Sequence, residues 1–97
     1  MDYVMQQVKE HAMKYPFQKV VLFGSRARGD HSLVSDYDIA VTAEKLTAVE
    51  KASFTADLEE IDTLKEFDIV FIDSNSTHDL RKNISEEGIT IYEQIRK

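Results

Sequence analysis

Cysteine and tryptophan are absent from this 97-residue chain, and it holds only one proline and three glycines. Without cysteine, disulfide scaffolds, thiolate zinc sites and cysteine nucleophiles are excluded together. Three scattered histidines are a poor basis for zinc in any other form. Sparse Pro and Gly beside 42% apolar and 31% charged residues exclude a disordered or fibrous chain and describe an ordinary globular one. Apolar runs never approach the roughly 20 residues of a membrane span, and Met1-Asp2-Tyr3-Val4 lacks a basic stretch leading into an apolar one. A cytoplasmic protein with no membrane attachment is therefore expected. Positive charge is also scarce: 12 basic residues face 18 acidic ones, for a net charge of −6. No broad face can neutralise a nucleic-acid backbone, so direct nucleic-acid binding is not expected. A phosphate-bearing substrate would have to be held locally, by backbone amides, a metal and one or two arginines.

What remains is one domain, residues 1–97, long enough to bury a modest core. No internal repeat or charge block divides it. Val4, Val8, Ala12 and Tyr15 fall at steps of four, four and three, which predicts an amphipathic helix from about Asp2 to Tyr15, ended by Pro16. Lys19 to Phe23 is apolar at consecutive positions, as in a short strand covered on both faces. Gly24-Ser25 breaks it, and Arg26 to Ser35 reads as a turn of helix and a loop. In the next strand Asp36, Asp38 and Ala40 share one face while Tyr37, Ile39 and Val41 share the other. Thr47-x-x-Glu50 has capping-box spacing, and Phe54, Leu58 and Ile61 continue a second helix to about Asp62. Phe67 to Ile72 predicts a strand with one acid among apolar residues. Ser76 to Asp79 offers another cap, Leu80 and Ile84 a helical stripe, Gly88 a stop, and Ile89 to Tyr92 a last strand. The fold class is therefore α+β (α/β), a small mixed sheet with helices packed on it.

Three features carry chemistry. Asp36 and Asp38, alternate residues of one strand, place two carboxylates on one face with Cα atoms roughly 6.5 Å apart. A hard divalent ion such as Mg²⁺ relieves their repulsion, since it takes carboxylate oxygens together with water and substrate phosphate; a solvated pair of acids is the bland alternative. Asp68, flanked by Phe67, Ile69, Val70 and Phe71, is costly to bury unless paired or bound to metal, although its tip could also reach water. If the two strands are neighbours, the three acids can converge on metals roughly 4 Å apart, an arrangement suited to in-line attack at phosphorus. Gly24-Ser25 follows a strand and precedes a helical turn, where backbone amides bind phosphate oxygens. Arg26 and Arg28 add fork-shaped donors, or else salt bridges. His31 is read as a loop residue, and His11 and His78 as helix-surface or capping residues. Tyr3, Tyr15, Tyr37 and Tyr92 are read as core or interface aromatics, because spacing places no base beside them.

Together, Gly24-Ser25-Arg26-Ala27-Arg28-Gly29, then Ser35-Asp36-Tyr37-Asp38 and Val41, then Phe67-Asp68-Ile69-Val70, closely resemble the signature of the minimal nucleotidyltransferases of the DNA polymerase beta superfamily. The resemblance covers nearly the whole chain; Tyr37, Ile39 and an acidic Asp30-His31 loop are its small departures. It implies transfer of AMP from ATP to a hydroxyl. Gly24, Ser25, Arg26 and Arg28 would then hold the triphosphate, and Asp36, Asp38 and Asp68 two Mg²⁺ ions, with Asp68 also helping to deprotonate the acceptor. Larger relatives carry an added acceptor-binding domain, so the acceptor is expected from outside. By the same resemblance the partner is a helical HEPN-type ribonuclease toxin, modified on a tyrosine by its antitoxin, in an assembly with that partner or with further copies of the chain. A small aminoglycoside-like acceptor, or an antitoxin that masks without catalysis, are the alternatives.

Overall fold

The computed structural model describes residues 3–24, 36–63, 66–72, 82, 84, 86 and 88–94. They form α1 (Tyr3–Ala12), β1 (Lys19–Phe23), β2 (Tyr37–Thr42), α2 (Ala48–Glu59), β3 (Phe67–Ile72) and β4 (Ile89–Glu93). The four strands make one mixed sheet in the order β3-β2-β1-β4. β1 runs antiparallel to both β2 and β4, and β2 runs parallel to β3. A parallel neighbour requires a crossover, and α2 occupies the connection between β2 and β3.

Alternation divides the sheet into two faces. Val20 and Leu22 of β1, Tyr37, Ile39 and Val41 of β2 and Ile91 of β4 turn toward both helices, where Met5, Val8, Ala12, Phe17, Phe54, Leu58 and Ile61 complete the main core. An aromatic knot joins α1 to α2. Phe17 meets Phe54 edge-on at 4.8 Å between ring centroids, and Tyr15 stacks on Phe17 at 5.1 Å. On the opposite face Val21, Ala40, Ile72 and Ile84 form a smaller cluster flanked by Phe23 and Val70. β1 is thus covered on both faces, as its unbroken apolar run requires.

The helices differ from expectation in detail. Met5, Val8 and Ala12 are the buried residues of α1, so Met5 takes the buried place expected of Val4, which only flanks the core. Tyr15 lies beyond the helix end, in the turn before Pro16. In α2 the capping box forms: the Glu50 amide donates to Thr47 Oγ1 at 3.1 Å and the Thr47 amide to Glu50 Oε1 at 3.0 Å. The helix closes three residues earlier than the apolar spacing implies. Its last turn tightens into i→i−3 bonds, from the Glu60 amide to Asp57 O and from the Ile61 amide to Leu58 O, which use carbonyls that a helix end leaves unpaired. Ile61 still reaches the core from the turn.

Lys82, Ile84 and Glu86 are helical, and the Gly88 amide closes that helix on Ile84 O at 2.9 Å. A Cβ at Gly88 would collide with Val21 Cγ1 and the Ile84 carbonyl oxygen, so the chain can enter β4 this close to β1 only without a side chain. The expected cap at Ser76 to Asp79, together with Leu80, lies outside the described residues. Among the described residues no helix is long and apolar enough to cross a membrane.

Candidate active site

The register of the sheet builds the site. β2 pairs with β3 so that Asp38 lies opposite Asp68, and with β1 so that Asp38 lies opposite Phe23. Side chains opposite one another in a ladder share a face, and this is the face of Ala40, Val21 and Val70, away from the two helices. The condition attached to the sequence reading, that the two acidic strands be neighbours, is therefore met.

Three interactions hold the register where β2 and β3 begin. The Tyr37 amide donates to Glu66 O at 3.0 Å, and the Glu66 amide donates to Asp36 Oδ1 at 3.3 Å. On the core side, the rings of Tyr37 and Phe67 stack at 5.4 Å with 20° between their planes. A slip of one residue would break this stack and send Asp68 to the core face. The stack and the two hydrogen bonds together keep the two carboxylates side by side.

Gly24 closes the site from β1. Its φ of +75° is left-handed, a conformation that costs an L-residue with a Cβ about 1–2 kcal/mol. The Asp38 carboxylate lies where a side chain would begin: a Cβ on Gly24 would collide with Oδ2 and lie 3.1 Å from Cγ. Gly24 is therefore needed twice, for the turn out of β1 and for the approach of an acid to its backbone.

Two readings of the acids change. Asp68 is exposed, so the desolvation argument made for it from its apolar neighbours fails. β3 is an edge strand, and the ring of apolar residues around Asp68 in sequence does not enclose it in space. Asp36 precedes β2 rather than lying within it, and it is turned toward the Glu66 amide. Among the described residues no group of three His, Cys, Asp or Glu side chains is assembled to hold a metal ion. Asp38 and Asp68 are hard oxygen donors in adjacent register, which fits a magnesium-like ion; Asp36 would complete the set by turning from Glu66. Ser25, Arg26 and Arg28, with His31 and His78, lie outside the described residues.

Tyr15 packs against the core as an aromatic, as expected, but the premise that no base lies beside it fails. Its hydroxyl donates to Asp57 Oδ2 at 2.6 Å and lies 2.8 Å from Ser53 Oγ. Sequence spacing hid this base because Asp57 is 42 residues away, on α2. His11, read as a helix-surface residue, places Nδ1 3.9 Å from the same carboxylate.

A four-stranded mixed sheet with two helices on one face and paired acids at the start of two parallel strands is the nucleotidyltransferase fold. The chain belongs to the polymerase beta nucleotidyltransferase family, whose sequence pattern matches residues 6–97. No curated protein gives a significant match. Among solved structures, a toxin–antitoxin complex with AMP-PNP is 21% identical over 93% of this chain and 73% of that one, with a TM-score of 0.70. A putative nucleotidyltransferase from Sulfolobus solfataricus is 19% identical over 94% of this chain and 78% of its own, at a TM-score of 0.61. A tri-AMPylated Shewanella oneidensis HEPN toxin in complex with its MNT antitoxin gives 20% identity over 93% and 73%, at a TM-score of 0.57. At these identities the likeness is one of fold.

Proposed function

We propose that this chain is a magnesium-dependent adenylyltransferase that moves AMP from ATP to a tyrosine hydroxyl of a helical HEPN-type toxin, and so acts as the toxin's antitoxin. The observation that carries the reading is the register of Asp38 against Asp68 beside the left-handed Gly24. Two carboxylates and a close backbone turn meet on one face, in a family defined by nucleotidyl transfer. The toxin–antitoxin neighbours, one with AMP-PNP and one with its toxin AMPylated, support the choice of nucleotide and partner.

In this reading Asp38 and Asp68, joined by Asp36, hold the metal, which supplies charge neutralisation on the triphosphate when bound. Gly24 and Ser25 offer backbone amides to the phosphates, and Arg26 and Arg28 offer side-chain donors. Asp68, exposed at the sheet edge, receives the proton as the acceptor oxygen attacks the α-phosphorus. The bond from that phosphorus to the bridging oxygen breaks, and pyrophosphate leaves. Because such transition states are loose, positioning contributes more than the strength of the base. The net charge of −6 suits a basic, RNA-binding partner, since complementary potentials speed encounter.

Where a helical HEPN-type protein is encoded beside the chain, the test is to incubate the two with Mg²⁺ and each nucleoside triphosphate, and to weigh the intact partner. A gain of AMP masses that vanishes with Asp36→Ala/Asp38→Ala is the expected result. A tight complex whose partner gains no mass refutes it, and would favour a small-molecule acceptor or a masking antitoxin.

A further inference from the structure

Outside the acidic site, a group of reactive side chains among the described residues lies between α1 and α2. Tyr15 is half-buried, its ring stacked on Phe17 and edge-on to Phe54 at 5.6 Å. Its hydroxyl is aimed at Asp57 Oδ2 and neighbours Ser53. The same Asp57 oxygen lies 3.2 Å from Lys14 Nζ. The phenol is thus fixed by its ring, hydrogen-bonded to a carboxylate that can take its proton, and close to an exposed ammonium that can meet a phosphate oxygen. Those are the parts a hydroxyl needs to act as a nucleophile at phosphorus.

Resting on the adenylyltransferase reading above, we propose that Tyr15 is itself an AMP acceptor, modified by a second copy of this chain. Transfer must be between molecules, because Tyr15 packs on the helical side of the sheet while Asp38 and Asp68 share the other face. Tyr15 Oη forms a bond to the α-phosphorus of a nucleoside triphosphate held with its divalent cation in the other copy. The bond to the bridging oxygen breaks, pyrophosphate leaves, and the phenolic proton passes to Asp57. Burial and the bond to Asp57 push the tyrosine hydroxyl above its ordinary range. The proton therefore stays on the oxygen until attack, as a loose transition state allows. The product places a phosphodiester anion beside Asp57, so modification would weaken the α1–α2 junction by like-charge repulsion.

The experiment mixes wild-type chain, an Asp38→Ala copy distinguishable by mass, the helical partner, ATP and Mg²⁺, followed by intact-mass measurement and peptide mapping. The expected result is AMP on the Asp38→Ala copy, mapped to Tyr15. It should be lost with Tyr15→Phe, which keeps the ring, and slowed about a hundredfold with Asp57→Asn, while transfer to the partner is unchanged. Tyr3 is 64% exposed, so labelling governed by access alone would fall there, and a map to Tyr3 in place of Tyr15 overturns the proposal. AMP on the partner with none on the chain overturns it and leaves the adenylyltransferase reading intact. AMP on neither overturns both.

Discussion

Replacing Gly24 by alanine tests the site through stability, with no substrate required. Two costs combine. The φ of +75° carries about 1–2 kcal/mol for an alanine. The new Cβ then collides with Asp38 Oδ2 and must push the carboxylate off its rotamer, at about 0.5–1.5 kcal/mol. The sum, about 1.5–3.5 kcal/mol, should lower the melting midpoint by about 6–28 °C in a domain of this size. Urea denaturation followed by far-ultraviolet circular dichroism resolves such a change, provided that the m-value stays constant. The decisive comparison is a double-mutant cycle with Asp38→Ala. Truncation removes Oδ2 and Cγ and leaves only Asp38 Cβ, 3.4 Å from the new methyl, an ordinary contact distance. Gly24→Ala should then cost only the backbone share, and the cycle should show a coupling of about 0.5–1.5 kcal/mol. Equal costs in both backgrounds would refute the claim that Gly24 is shaped around the Asp38 carboxylate.

Three further outcomes follow from the same geometry. Thr47→Ala removes the Oγ1 acceptor of the Glu50 amide and leaves the residue-47 amide still able to donate to Glu50 Oε1; it should cost about 1 kcal/mol, read as a fall of about 4–8 °C in melting midpoint, and no change would mean that the Oγ1 cap is not maintained in solution. Asp57 is held below the usual carboxylate range, first by the Tyr15 hydroxyl and also by Lys14. Its contribution is therefore complete above the unfolded value of about 3.9 and disappears as pH falls through the lower folded value. Asp57→Asn should lower stability at pH 7 by about 1 kcal/mol after discounting for its partial exposure, and this gap should close in acid. A gap that is constant from pH 7 to about 3 would show that the ion contributes nothing. Asp68→Asn should leave the protein as stable or slightly more stable in urea while abolishing transfer of AMP to the partner, a pairing that a purely structural role could not produce.

The fold was legible wherever local pattern and tertiary outcome agree. The unbroken run from Lys19 to Phe23 and the strand from Phe67 to Ile72 have the boundaries the pattern implies. Thr47 and Glu50 announced the start of α2 because a cap is a purely local device. The end of α2 was not legible: Ile61 keeps the apolar spacing, yet reaches the core from a turn. The site was half legible. Alternation put Asp36 and Asp38 on one strand face, yet Asp36 precedes β2 and turns to the Glu66 amide, so spacing alone did not place it. Asp68 required strand order, which no spacing records. Its sequence neighbours misled, because residues flanking an acid along a strand say nothing of what lies across an edge. Tyr15 and Asp57 were invisible for the same reason, being joined only by the packing of α1 on α2.

Asp38 and Asp68 also stand directly opposite one another in the β2–β3 ladder. Like charges directly opposite in a ladder are unfavourable, by an amount within the range of about 0.2–1 kcal/mol for cross-strand pairs. In a chain already at −6 each further anion adds self-repulsion. Nothing in the core needs either carboxylate, since Tyr37, Ile39, Phe67 and Ile69 bring β2 and β3 together on the other face. Yet the Tyr37–Phe67 stack and the Asp36–Glu66–Tyr37 hydrogen bonds fix the one register that sets the acids side by side. Among the described residues, local rules agree with one another in the cap, the apolar faces and the glycine turns, while the facing acids depart from them. Two acids facing each other at the start of parallel strands, against a left-handed glycine, form an arrangement whose repulsion a hard cation would relieve.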